Sequence, residues 1–227
     1  MTIPAPLDPA AFIEKNLKLQ PAPALPEIRL YAAHSGSRLR RLVEAGPAGA
    51  AEHPPYWAYH WAGGTVLARH FLDRPQTVAG RRVLDLGAGS GVVGIAAIKA
   101  GAASALAAEI DGNGCVAIGL NAAANGVCLA VTGKDLTANE PPDVDLVAVG
   151  DLFYARDLAL AVTAFLDRCL TAGIEVLIGD PGRAHLPHAR LRRIAEYAVP
   201  DFGDAVRGPA GASAVYAFEP ETAGRAA

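Results

Sequence analysis

The stretch VLDLGAGSG, residues 83–91, runs an apolar segment, interrupted only by Asp85, into a turn that holds Gly87, Gly89 and Gly91. An apolar run of this length, bounded by turn residues, reads as a strand buried on both faces. The glycines permit sharp bending and let a ligand approach the main chain closely. Asp85, just ahead of them, can accept hydrogen bonds from the turn or from a ligand's ammonium group.

Two ligand classes fit such a turn. Gly89, Gly91 and Gly94 also have the G-x-G-x-x-G spacing of a dinucleotide site. In that register the first glycine follows the strand directly, whereas Gly87 and Ala88 intervene here after a strand that ends at Leu86. A pyrophosphate at a helix N-terminus disfavours a fixed carboxylate nearby, while the cationic amino-acid end of S-adenosylmethionine favours one. Asp85 therefore points to S-adenosylmethionine, with an NAD(P)-dependent oxidoreductase as the alternative.

Around this segment the chain alternates strands and helices, the signature of a parallel sheet wound on both faces. Strands are expected at residues 82–86, 104–110, 129–132, 144–149 and 175–178, with helices at 91–100, 114–124, 155–171 and 189–197. Residues 199–206 and 214–218 read as a terminal hairpin that adds an antiparallel strand. Before the sheet, Asp8 and Pro9 open a helix over residues 10–19, and QPAPALPE at 20–27 reads as a stiff connector. Residues 28–32 and 39–45 are expected to pair as a hairpin, and 46–55 to form a loop.

The 227 residues suffice for one α/β domain with a modest extension. No run approaches the roughly 18 apolar residues of a membrane span, and a formal net charge of −3 gives no general reason to expect nucleic-acid binding. Arginine clusters at 38–41 and 190–193 read as solvated faces. Cys115, Cys128 and Cys169 lack CxxC spacing, so neither disulfides nor zinc is implied. The N-terminus lacks a basic region followed by an apolar run, and a cytoplasmic enzyme is expected.

Ligands of such sheets sit beyond the carboxyl ends of the strands, near the point where strand order reverses. Acidic residues stand at or just beyond each predicted parallel strand end: Asp85, Glu109 with Asp111, Asp135, Asp151 after Gly150, and Asp180. Glu109 is favoured over Asp111 to take both hydroxyl hydrogens of a ribose, because Asp111 is better placed to cap the following helix. Asp135, with the backbone of Leu136, is expected to receive the adenine amino group.

PPYWAYHWAGG at 54–64 holds both tryptophans of the chain beside two tyrosines and a histidine. Trp57 and Trp61, four residues apart, are expected to share one face and to wall the methionine side of the cofactor, their negative ring faces toward the sulfonium. A plug sealing the sheet edge is an equal reading for Tyr56 and Tyr59. His60 by itself reads as a surface or core histidine.

YWAYHWAGG at 56–64, VLDLGAGSG at 83–91, GDLFY at 150–154 and IGDPGR at 178–183 together resemble the seven-strand protein lysine methyltransferases, and within them the electron transfer flavoprotein beta-subunit lysine methyltransferases. The resemblance runs from about residue 12 to residue 220. A group labelled by analogy with ribosomal protein L11 methyltransferases is also similar, but it carries asparagine-proline-proline after the fourth strand where this chain has GDLFY. The resemblance implies a Rossmann-like seven-stranded sheet over residues 56–220, an extension at 1–55 and a tail at 221–227. It implies methyl transfer from S-adenosylmethionine to lysines of the electron transfer flavoprotein beta subunit. Another protein or a small molecule is the alternative substrate.

Asp151 and Tyr154 match the family's D-x-x-Y motif, which places them where the target lysine meets the sulfonium methyl. Asp151 as an anion is suited to docking and aiming the nitrogen, and Tyr154 to holding it by a hydrogen bond. Asp180 and Arg183 are expected to shape the substrate channel.

Overall fold

The computed structural model describes residues 7–45, 54–201 and 212–221. Its centre is a seven-stranded sheet built from β3 (Arg82–Leu86), β4 (Ser104–Ala108), β5 (Ala130–Thr132), β6 (Leu146–Gly150), β7 (Glu175–Asp180), β8 (Leu191–Ala198) and β9 (Ala212–Phe218). The spatial order is β5-β4-β3-β6-β7-β9-β8. Strands β3 to β7 run parallel, and β9 lies antiparallel between β7 and β8. Connections lead outward from β3 on one side and from β6 on the other, so the crevice between these two strands is the switch point where such sheets bind ligands.

The central strands alternate between two cores. Val83, Leu146, Ala148 and Leu177 face one layer with Val66, Leu67 and Phe71 of α3 (Ala62–Asp73) and Ile95 of α4 (Val92–Lys99). Leu84, Val147, Val149 and Ile178 face the other layer with Val162, Phe165 and Leu166 of α6 (Arg156–Thr171). Burial on both faces is why these strands carry no polar alternation. A third cluster joins Phe12 and Ile13 of α1 (Pro9–Asn16) to Trp57 and to Ala117 of α5 (Gly112–Ala124).

The capped helix near Pro9 is present, with Asp8 Oδ1 accepting from Ala10 N. The next segment departs from expectation. Residues 18–22 form β1 (Lys18–Ala22), which pairs antiparallel with β2 (Leu25–Ala32), and the prolines expected to stiffen a connector lie within this hairpin. A two-stranded ribbon consists of edges, where a missing N–H is tolerated, and Ala24 takes the turn with φ of 59°. Residues 39–45, expected as a strand, give the short helix α2 (Leu39–Glu44).

Residues 189–197, expected as a helix, are also corrected: after a 3₁₀ turn at His188–Arg190 they enter strand β8 (Leu191–Ala198), whose register with β9 is set from Leu191↔Phe218 to Ala198↔Ala212. One face of β8 remains largely exposed, so its composition lacked the apolar pattern of an inner strand. The strand expected at 199–206 is absent at 199–201, and its remainder lies outside the described residues, as does most of the loop at 46–55.

Candidate functional site

Gly87, Gly89 and Gly91 have φ of 67°, 53° and 78°, the left-handed region that side chains avoid. Space matters as well, since a Cβ on Gly87 would meet Leu152 at 2.6 Å. The turn is fastened from below. Asp85, fully buried, accepts from Gly94 N of α4 at 2.9 Å. Burial, the main cause, pushes its pKa up to about 7, with the nearby Glu109 charge adding to the rise. A buried carboxyl in this condition has much to gain from a cation.

Glu109, just beyond β4, accepts from Gly89 N at 2.8 Å through one oxygen and from Asp111 N at 2.9 Å through the other. Each oxygen keeps a lone pair for a diol. Burial raises the Glu109 pKa against these hydrogen bonds. Asp111 is the cap of α5, accepting from Asn113 N, and its second oxygen receives Trp57 Nε1 at 3.0 Å. Asp135 lies three residues past the end of β5, where its side chain accepts from Thr137 N and Oγ1, and Leu136 beside it lines the crevice.

Trp57 and Trp61 do not share a helix face. Trp57 sits in a single 3₁₀ turn and Trp61 is the residue before α3, yet both reach the same cleft. Trp61 donates from Nε1 to the Tyr56 carbonyl, and its ring meets Tyr56 edge-on at 5.5 Å. Tyr154 stands 5.8 Å from Tyr56 on the rim, half exposed. Burial holds the Tyr154 hydroxyl above its ordinary pKa, so it remains protonated.

Gly150 ends β6 against α3, where a Cβ would fall 2.8 Å from Gly64 N. Asp151 follows with φ of 59° and a nearly buried carboxylate. One oxygen accepts from Gly64 N at 3.0 Å, and the other from Arg183 Nε and Nη2 at 3.1 and 2.6 Å. Burial lifts its pKa to about 6 although Arg183 pulls the other way. The carboxylate expected to meet a lysine is thus already paired with an arginine.

Asp180 is placed differently from the channel wall expected of it. It is fully buried, accepts from Gly182 N and Arg183 N at 2.6 Å each, and so shapes the turn that aims Arg183. Arg183 does line the cleft. Its guanidinium lies 5.6 Å from the Trp61 ring and pairs with Asp201 at 2.9 Å. Asp201, which also accepts from Ala62 N, was not legible in the sequence, because nothing in VPD near residue 200 marks a site. Asn121 was missed too. Fully buried, it donates to the Ser90 carbonyl of the glycine turn and accepts from Tyr31 N of β2.

A cleft of about 350 Å³ lies at the switch point, lined by Trp57, Glu109, Leu136, Leu152, Tyr154 and Arg183 among others. It has room for a nucleoside and an entrance for a second reactant. The positive-φ glycine cradle, the two-oxygen acceptor Glu109 and the buried acid Asp85 fit S-adenosylmethionine.

A family model described as ribosomal protein L11 methyltransferase matches residues 63–152. The chain is 37% identical to the electron transfer flavoprotein beta subunit lysine methyltransferase of Xenopus laevis, over 93% of its own length and 87% of that protein's. It is 35% identical to the protein of that name from Homo sapiens, over 94% and 84% of the two lengths. With the Rattus norvegicus protein the figures are 40%, 73% and 68%. Among solved structures, ribosomal protein L11 methylase from Lactobacillus delbrueckii subsp. bulgaricus is similar with a TM-score of 0.50 and 25% identity, covering 69% of this chain and 79% of that one. A Thermus thermophilus 16S rRNA N2 G1207 methyltransferase, solved with S-adenosylmethionine and guanosine, shares the fold with a TM-score of 0.51 at 17% identity, covering 71% and 44%.

Proposed function

The chain belongs to the electron transfer flavoprotein beta subunit lysine methyltransferases, S-adenosylmethionine-dependent protein-lysine methyltransferases, and from that membership we propose that its own substrate is the beta subunit of electron transfer flavoprotein. What carries the reading is identity of 35–37% to proteins of that name across more than nine-tenths of the chain. GDLFY at residues 150–154 supports it, since the asparagine-proline-proline of the ribosomal group is absent there.

Glu109 would hold the ribose hydroxyls, Asp85 the ammonium of the methionyl tail, and Leu136 the edge of the adenine. The bound cofactor supplies an electrophilic methyl group on a positively charged sulfur. The protein's task is then to bring a neutral lysine nitrogen in line with it. An ordinary lysine has a pKa of about 10.4, and presenting its free amine at pH 7 costs about 4.6 kcal/mol. An isolated carboxylate beside the amine would add to that cost by favouring the ammonium.

The pairing of Asp151 with Arg183 changes this balance. The guanidinium, shared between Asp151 and Asp201, offsets part of this charge, so the wall that meets the nitrogen favours the ammonium less than a lone carboxylate would. Asp151 would act by fixing Arg183 and the start of α3, which together define the cleft floor. The protonated Tyr154 hydroxyl on the rim would accept a hydrogen bond from the amine and aim its lone pair. No general base with a matched geometry is needed if the proton leaves to water before the lysine enters.

Purified electron transfer flavoprotein incubated with the enzyme and S-adenosylmethionine should gain mass in multiples of one methyl group, on the beta subunit and at lysine. An unmodified beta subunit, with label appearing on a different protein of a cell lysate, would remove this substrate.

A further inference from the structure

Helix α3 begins without a cap of its own, because Trp61 at its N-cap position makes no side-chain hydrogen bond to the first turn. Two carboxylates from distant parts of the chain take that place. Asp151, just after β6, accepts from Gly64 N at 3.0 Å, and Asp201, three residues past β8, accepts from Ala62 N at 3.1 Å. The aligned peptide dipoles favour negative charge at this end of the helix.

Arg183 joins the two acids. Beside its forked contact with Asp151, its Nη2 donates to Asp201 Oδ1 at 3.0 Å and its Nη1 lies 2.9 Å from Asp201 Oδ2. A planar guanidinium gripped by two carboxylates is fixed in orientation as well as in position. Asp151 and Arg183 line the cleft, whereas Asp201 is not among the lining residues. Its charge is felt at the site nonetheless: burial is the main cause of the raised Asp180 pKa, and Asp201 adds to it.

We propose that Asp201 is a positioning residue for methyl transfer: from beyond the end of β8 it grips Arg183 opposite Asp151, divides the guanidinium's charge between two acids, and so fixes the wall that the lysine nitrogen meets. The inference rests on the reading of Asp151 and Arg183 as that wall.

A plain helix cap makes a different prediction. Asparagine caps as well as aspartate does, and its amide oxygen can still accept from Ala62 N. The clamp, in contrast, needs the charge. Without the second carboxylate Arg183 belongs to Asp151 alone, and the Asp151 pKa, lifted to about 6 mainly by burial and opposed by Arg183, should fall. The other titratable groups around Asp151 are Asp180 beside Arg183, His60 and Asp85 behind the glycine turn, and Glu109 and Tyr154 in the cleft. The substitution leaves all of them in place.

The test is Asp201→Asn, read in two ways. In the ligand-free protein, carbon-detected NMR of the Asp151 carboxyl should show its titration displaced downward by roughly half a pH unit. In methyl transfer to the flavoprotein beta subunit, kcat should fall roughly tenfold, while the KM for S-adenosylmethionine and the melting temperature stay close to those of the unsubstituted protein. An unmoved Asp151 titration, or a kcat equal to the parent's, would overturn the proposal. So would a drop in melting temperature and cofactor affinity large enough to account for the whole loss. Absence of transfer by the unsubstituted protein, with the carboxyl shift present, would sink the choice of substrate and still support the clamp.

Discussion

Asp151 Oδ1 lies 2.6 Å from Arg183 Nη2 and 3.1 Å from Arg183 Nε, a forked pair in which the carboxylate is nearly buried and the arginine forms part of the cleft wall. Removing Arg183 strands the nearly buried Asp151, at about 3–5 kcal/mol for a buried charge, whereas removing Asp151 leaves the guanidinium with Asp201 but frees it from the position that Asp151 fixes. Asp151→Ala is therefore expected to lose at least 99% of methyl transfer while S-adenosylhomocysteine still binds within a fewfold of the original affinity. Arg183→Met should lose methylation comparably and lower the melting temperature, because Asp151 is left without its cation. Radiolabel transfer and calorimetry on the same preparations check both.

Asp85 makes stability depend on pH in an unusual direction. Its pKa is about 7 in the fold against an ordinary 3.8, so the folded protein holds this proton more tightly than the unfolded chain. The contribution of Asp85 is most favourable below about pH 4 and declines as pH rises toward 7. Asp85→Asn should accordingly raise the melting temperature of the ligand-free protein at pH 8 and have little effect on its charge balance at pH 4. Binding of the ligand's ammonium should expel a proton near pH 7, read as a dependence of the calorimetric enthalpy on buffer ionisation that the asparagine variant lacks.

Glu109 uses one oxygen on Gly89 and the other on Asp111, so the isosteric glutamine cannot serve both N–H groups. Glu109→Gln should weaken S-adenosylhomocysteine by roughly tenfold or more and cost about 1–3 kcal/mol of stability. Titration and urea denaturation measure the two effects separately. Unaltered affinity would mean that the ribose is held elsewhere.

Two glycines give opposite expectations. A Cβ on Gly63 would meet the Gly179 carbonyl and fall 2.6 Å from Asp151 Oδ2, with backbone on one side that has no room to shift. Gly63→Ala should destabilise by about 3 kcal/mol or prevent folding. Gly119 sits exposed in the middle of α5 with nothing within 4 Å of the added carbon. Gly119→Ala should stabilise by about 0.5–1 kcal/mol, measurable as a shifted urea midpoint.

The central parallel strands were legible because they are buried on both faces and therefore continuously apolar, as in Leu146 to Val149. The periphery was not. Residues 191–198 alternate exposed and half-covered positions along the sheet edge, and their charged side chains suit a helix surface equally well. In the N-terminal ribbon, β2 is stitched to α5 by Asn125, which takes Arg29 N and serves Arg29 O, contacts across nearly a hundred residues that local pattern cannot signal.

The amino-acid sequence by itself determined the α/β class, the glycine turn after β3, and which acidic residues stand at the strand tips, since these follow from local burial, backbone freedom and alternation. Only the tertiary structure decided what those acids are doing. Asp111 caps and holds Trp57, Asp180 builds a turn, and Asp151 is bound to Arg183, because the partner that sets a carboxylate's charge and reach is brought to it through space by separate elements of the fold.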